Sequence, residues 1–158
     1  MVELVVLGPV QLALPASWER ASEASLVAPR RSFADLPTLS ELRGFQPNVY
    51  IQLSALTGPA RLDDLVETAA IARRGALPQL RMLDQRERTV AGAPAVEHVF
   101  TFEAPPTAVP VQQAQVLFLT GATACTLTFT SLPGFFEEDR RQFDDLLDSV
   151  QLREEAAR

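Results

Sequence analysis

Three kinds of side chain in this sequence could do chemistry: a single histidine, a single cysteine and several runs of acidic residues. His98 alternates with Phe100 and Phe102 along an apolar strand, so we expect a buried imidazole that packs rather than one that catalyses or binds metal. Cys125 stands in an apolar strand, where a reduced thiol acts as a small hydrophobic group. One histidine and one cysteine cannot build a usual zinc site, and the predicted strand pairing does not place the two opposite each other as a nucleophilic pair.

The acidic runs have a simpler explanation than paired catalytic carboxylates or a metal site. They are Asp63–Asp64, Glu137–Glu138–Asp139 and Asp144–Asp145. Each lies on a predicted helix, where carboxylates in the first turn interact favourably with the helix dipole or face solvent, and none has calcium-loop spacing. The chain also lacks a glycine-rich phosphate loop and a GxSxG elbow. We therefore predict a protein that is not an enzyme and has no cofactor or metal.

Composition and charge restrict the partners and the compartment. The chain has 158 residues, 47% of them hydrophobic, which suits one hydrophobic core. Acidic residues outnumber basic ones by 20 to 14, so a nucleic acid backbone would be repelled. The apolar N-terminus contains Glu3, lacks a basic region and is interrupted by Gly8 and Pro9, which predicts a strand rather than a signal peptide. No stretch approaches the roughly 18 apolar residues that span a bilayer. We expect a cytoplasmic protein that does not insert into membranes.

Hydrophobic periodicity divides the chain into strands and two amphipathic helices. Apolar residues spaced by three and four predict helices over 61–76 and 135–150; the stripe of the first contains Leu62, Leu65 and, at its end, Arg73. Alternation and turn residues predict strands over 10–15, 48–56, 80–90, 95–103, 111–120 and 124–132. The last four form an antiparallel meander. Within the less regular stretch 21–47, residues 25–28 are a candidate strand, and 33–37 and 39–42 carry helix-turn or loop signals.

This order of elements predicts an α+β fold: an antiparallel β-sheet flanked by α-helices. We expect one domain over residues 1–152, followed by a charged tail at 153–158 that frays.

The tight turn at Gly121–Ala122 fixes which side chains of its hairpin share a face of the sheet. Pairing Thr120 with Thr123 gives one apolar face, which the C-terminal helix should cover, formed by Ala114, Val116, Phe118, Cys125, Leu127 and Phe129. The other face mixes apolar and uncharged hydrogen-bonding groups, which favours a contact surface. We predict that a client protein binds there through Val99, Gln113, Gln115, Leu117, Leu119, Thr126 and Thr128. The alternative is that the helix containing Leu62 and Arg73 simply covers this face.

Three segments resemble one known family. They are VQLALPASWERAS at 10–22, a helix and hairpin at 62–102 and a hairpin and helix at 111–152. Together they resemble the PsbP-like superfamily, which includes photosystem PsbP proteins, DcrB-type bacterial proteins and the Eag-type chaperones of type VI secretion effectors. The resemblance implies a PsbP-like α/β/α sandwich without catalytic residues.

The branches of this family imply different functions. Eag-type chaperones are cytoplasmic homodimers that shield the hydrophobic N-terminal segment of an effector, whereas DcrB-type and PsbP proteins are exported or organellar. An N-terminus without a leader favours an Eag-type chaperone that binds an effector's hydrophobic segment. The alternative is a non-enzymatic accessory domain of the DcrB or PsbP type that binds a protein or a small ligand. An enzyme or a toxin-immunity protein is the remaining alternative.

Overall fold

The predicted strands and helices form in the computed structural model, which describes residues 3–29, 45–105 and 108–153. The helices are α1 (Leu62–Ala76) and α2 (Phe136–Asp148). The strands are β1 (Leu4–Leu7), β2 (Val10–Ala13), β3 (Glu19–Arg20), β4 (Ser25–Val27), β5 (Asn48–Ala55), β6 (Arg81–Val90), β7 (Ala93–Ala104), β8 (Val109–Thr120), β9 (Thr123–Ser131) and β10 (Gln151–Leu152). The signals at 33–37 and 39–42 and the tail residues 154–158 lie outside the described residues.

The described strands form two antiparallel sheets. The larger has the order β3-β4-β5-β9-β8-β7-β6, and the smaller has the order β1-β2-β10. This arrangement confirms the predicted α+β fold with an antiparallel sheet and two helices. Strand β10 was not predicted; it follows α2 directly and pairs with β2, so the end of the described chain returns to its beginning.

The hairpin of β8 and β9 has the predicted register. Gly121 adopts a positive φ of 54° in the turn, and Thr120 pairs with Thr123. Phe118 therefore lies opposite Cys125, as the turn predicted. The predicted apolar face is fully buried at Ala114, Val116, Phe118, Cys125, Leu127 and Phe129.

Helix α2 covers this apolar face of the large sheet. The Phe143 ring stacks on Phe129 with 5.0 Å between centroids, and the Phe136 ring is tilted against Phe129 at 5.5 Å. Burying side chains of this size contributes about 1.5–3 kcal/mol each. The indole Nε1 of Trp18 donates to Gln142 Oε1 at 3.0 Å and attaches the N-terminal part of the chain to the same helix.

A buried carboxylate also joins α2 to the sheet. Glu97 is fully buried on the α2 side and accepts hydrogen bonds from Arg86 at 3.0 Å, from Arg88 at 2.6 Å and from Arg140 of α2. Arg88 also contacts Asp144 of α2 at 3.4 Å. A buried carboxylate is tolerated when paired in this way, and this one joins its own strand β7 to partners on β6 and α2.

Candidate binding face

The candidate site is the face of the large sheet opposite α2, and six of the seven predicted contact residues lie on it. Directly paired residues share a face, and the register pairs Gln115 with Thr128 and Leu117 with Thr126. Gln113 and Leu119 belong to the same face because they alternate with these residues along β8.

Val99 does not lie on this face, so its grouping with the other six residues is wrong. It pairs with Ala114, on the α2 side, and is buried in the main core. Side chains alternate along β7, so the residue that faces Leu117 across the sheet is Val96.

Helix α1 covers the centre of the candidate face. Its Arg73 donates from Nε to Gln115 Oε1 at 3.1 Å, and the guanidinium lies 4.9 Å from the centroid of the Phe100 ring. Leu117 is fully buried, and Thr128 is nearly so. The alternative that α1 covers the candidate face is therefore correct for the centre of that face. Leu117 is not accessible to a partner in this conformation.

Two cross-strand hydrogen bonds join the glutamines and threonines at the border of the covered area. Gln113 Nε2 donates to Thr130 Oγ1 at 2.9 Å, and Gln115 Nε2 donates to Thr128 Oγ1 at 3.3 Å. We call these four residues the Gln–Thr ladder. These polar groups lose hydrogen bonds to water on a half-buried sheet face, and the hydrogen bonds between them compensate for that loss.

Beyond the ladder, the same face is open to solvent towards β5. Tyr50 pairs with Thr128 and Gln52 with Thr126, so the β5 side chains continue this face. Tyr50 is 45% exposed, Gln52 and Ser54 are exposed, and Thr126 and Thr130 are half-buried. We call these five residues the open strip; Thr130 belongs both to the strip and to the ladder that borders it. The accessible surface is therefore displaced from β8 towards β9 and β5, relative to the predicted one.

His98 lies under α1 and is neutral. Arg73 Nη2 lies 2.5 Å from His98 Nδ1, and a guanidinium can only donate, so Nδ1 accepts and the ring proton is on Nε2. Burial, with a further contribution from Arg73, lowers the pKa of His98. Within the described part of the chain, the buried Nε2 has no hydrogen-bond partner.

The burial of His98 matches the expectation of a packed imidazole. Cys125 lies on the α2 side of the sheet, whereas His98 pairs with Gln115 on the α1 side, so the two cannot form a nucleophilic pair in this arrangement.

Arg73 is the functional candidate that was not predicted. Besides Gln115 and His98, it contacts Met82, whose sulfur lies 3.6 Å from Nη1. Burial, and then the nearby Arg74, lower the pKa of Arg73. The sequence does carry a signal, because the helical spacing places this arginine on the apolar stripe of α1.

In residues 3–29, 45–105 and 108–153, no three His, Cys, Asp or Glu side chains come together in a way that could hold a metal ion. No helix in these ranges is long and apolar enough to cross a membrane.

No protein-family model matches the sequence, and no curated protein matches it. Solved structures do match, over nearly the whole chain. PA94, a protein of unknown function from Pseudomonas aeruginosa, is 16% identical, with a TM-score of 0.70 over 98% of this chain and 99% of that chain. LpqN of Mycobacterium tuberculosis, which is involved in cell envelope biogenesis, is 15% identical, with a TM-score of 0.72 over 98% of this chain and 91% of that one.

The third similar structure is the cyanobacterial PsbP protein of Synechocystis. It is 12% identical, with a TM-score of 0.56 over 91% of this chain and 86% of that one. At such identities the likeness concerns the fold alone. This chain has the PsbP-like fold that its sequence motifs predicted.

Proposed function

We propose that this chain is a chaperone that binds the hydrophobic N-terminal segment of a secreted effector and shields it in the cytoplasm, in the manner of the Eag-type chaperones of type VI secretion. The observation that carries the proposal is the open strip beside α1. The resemblance of residues 10–152 to the superfamily and the PsbP-like fold support a binding domain of this kind, and they are equally compatible with the alternative of a DcrB-type or PsbP-type accessory domain.

The composition of the open strip suits an apolar client. A segment of about 20 apolar residues aggregates if it is exposed to water. A binding surface for it should avoid charged groups, because contact with apolar groups would strip them of water. The strip presents one tyrosine ring with hydroxyl and amide groups and carries no charged side chain.

Helix α1 offers apolar surface next to the strip. It packs on β8, whose neighbour in the sheet is β9 and then β5. Its apolar stripe is only half-buried at Leu62, Leu65, Val66, Ala69 and Ala70. A client segment lying along the strip could therefore contact a helix on one side and the sheet below, with the Gln–Thr ladder at its border.

The predicted contact residues differ in how close they lie to the proposed client. Thr126 belongs to the open strip, and Gln113, Gln115 and Thr128 belong to the ladder at its border. Leu119 is half-buried at the end of β8 and stays a candidate. Leu117 would contact a client only if α1 moved, and Val99 is on the other side of the sheet.

The test is capture of a tagged segment of about 20 apolar residues by the purified protein. Gln52→Arg and Thr126→Arg place a charge on the open strip, so we expect each to keep the thermal melt nearly unchanged and to weaken capture at least about tenfold. Gln151→Arg is the control, because Gln151 is an exposed polar residue on β10 of the smaller sheet, outside the candidate face.

Leu117→Glu should instead unfold the protein, because it buries an unpaired charge. If wild type does not capture the segment, the proposed function is wrong. If it captures the segment and both strip variants do so equally well, the client binds elsewhere.

A further inference from the structure

Arg73 is a buried cation whose contacts are all with neutral groups. It is the buried residue of α1, at 6% exposure. Its partners are an amide oxygen of Gln115, the unprotonated nitrogen of His98, the sulfur of Met82 and the ring of Phe100. Among the described residues, no carboxylate lies within ion-pair distance of its guanidinium.

Such an arrangement is unfavourable for the unbound protein. Transfer of an ion out of water costs several kcal/mol, and arginine cannot escape this by losing its proton. The ring contact with Phe100 and the two hydrogen bonds offset only part of this cost. On the other side of the sheet, Arg86, Arg88 and Arg140 surround the buried carboxylate of Glu97, so the chain supplies a counter-charge even to arginines that are partly exposed to water.

The guanidinium can be reached from the edge of the sheet. A guanidinium has five N–H donors, and the sulfur that faces Nη1 is a weak acceptor. Met82 is 46% exposed and lies on the edge strand β6, next to a bulge where the pairing with β7 is interrupted. Its unbranched side chain can change rotamer at little cost and uncover Nη1.

We infer that Arg73 is the binding site for a carboxylate of the bound partner, which enters beside Met82 and replaces the thioether on the guanidinium. The identity of that partner rests on the proposed function: the carboxylate would belong to the sequence that flanks the client's apolar segment and reaches from the open strip on β5 and β9 to the β6 edge of the sheet. Arginine binds carboxylates with two parallel hydrogen bonds, which gives orientation as well as affinity. Arg73 also donates to Gln115, so the bound acid would be fixed relative to the Gln–Thr ladder and set the position of the client along the sheet.

The direct test uses small probes and does not need the client. Butyrate and butyramide have similar size, and only butyrate is charged. Each is titrated onto the protein while two NMR signals are followed, the Nε–Hε signal of Arg73 and the side-chain amide signal of Gln115, which contacts Arg73 and is still present in the variants. We expect saturable binding of butyrate and none of butyramide. Arg73→Met should weaken butyrate binding at least about tenfold, whereas Arg74→Met should not, because Arg74 is the exposed neighbour on the same helix.

The second measurement is the thermal stability of the Arg73→Met variant. Without a carboxylate, Arg73→Met should melt at the same temperature as wild type or higher, because it removes an unpaired buried charge. A large loss of stability in this variant, or butyrate binding that Arg73→Met leaves intact, would overturn the inference.

The third measurement separates the inference from the proposed function. Two apolar segments that differ by one flanking Glu or Gln are compared for capture. Preference for the Glu segment in wild type, lost in Arg73→Met, supports the inference. Equal capture of both overturns it while the proposed function stands, and capture of neither overturns the proposed function, with the butyrate titration still deciding the role of Arg73.

Discussion

His98 is kept neutral by the direction of one hydrogen bond. Arg73 donates to Nδ1, so a proton on that nitrogen would break the bond and place two cations in contact. The folded-state pKa of His98 is lowered from its ordinary value of 6.5, first by burial and then by Arg73. The unfolded chain therefore binds more protons at this residue than the folded chain does, and stability must fall as the pH drops below about 6.5.

This linkage predicts that His98→Asn makes the protein less sensitive to acid. The asparagine oxygen can still accept from Arg73 but does not titrate. Urea unfolding is measured at about pH 7.5 and about pH 5.5. Wild type should lose more of its free energy of unfolding between the two than the variant does. Carboxylates titrate in both proteins and cancel in the comparison, and His98 is the only histidine in the sequence. Equal losses in both proteins would show that His98 can be protonated without disturbing the fold.

At the scale of elements, local patterns predicted most of the fold. The Gly121–Ala122 turn set the register of β8 and β9 because a two-residue turn allows few pairings. The same reasoning could not show that α1 covers the centre of the candidate face, or that β5 extends that face next to β9. Those contacts join residues far apart in sequence, and no local pattern encodes them.

Two details of the candidate face differ from the prediction. Val99 was predicted to lie on this face, but side chains alternate along β7, so Val99 lies on the side opposite His98 and Phe100. Arg73 lies on the stripe of α1, where helical spacing alone cannot distinguish a buried guanidinium from one that reaches solvent.

Strand β10 gives an element-scale prediction. It pairs with β2 through Gln151 and Leu152, and the backbone N–H of Arg153 donates to Pro9 O at 2.6 Å. A chain that ends after Val150 loses these bonds, each worth about 0.5–1.5 kcal/mol. We expect its free energy of unfolding to be about 1–3 kcal/mol lower than that of a chain ending after Arg153. Guanidinium unfolding of the two proteins checks this, and identical midpoints would mean that β10 contributes nothing to stability.

At the scale of the whole molecule, the two helices make the faces of the large sheet unequal. Helix α2 buries Phe136, Phe143, Leu146 and Leu147, whereas α1 buries only Arg73. The α2 side thus holds the main core, and the α1 side holds a smaller buried cluster of Phe100, Phe102, Val111 and Leu132 beside an accessible strip. An asymmetric sandwich of this kind can devote one face to stability and the other to a partner.

The proposed function predicts a homodimer, because a chaperone of the Eag type would place two copies around one client. Light scattering on the purified protein should give a mass near twice 17.3 kDa. A monomer at every concentration, with or without an apolar segment, would instead favour a monomeric ligand-binding domain of the same fold.

The buried thiol of Cys125 can report how often the core of the protein opens. The thiol lies between Leu53 and Phe118 on neighbouring strands, fully buried on the α2 side. A thiol reagent can reach it only when the core separates, so the rate of alkylation measures how often that opening occurs. The open strip is on the other side of the sheet, and a client bound there cannot shield the sulfur. Slower alkylation in the presence of a client would therefore report stabilisation of the whole fold by binding.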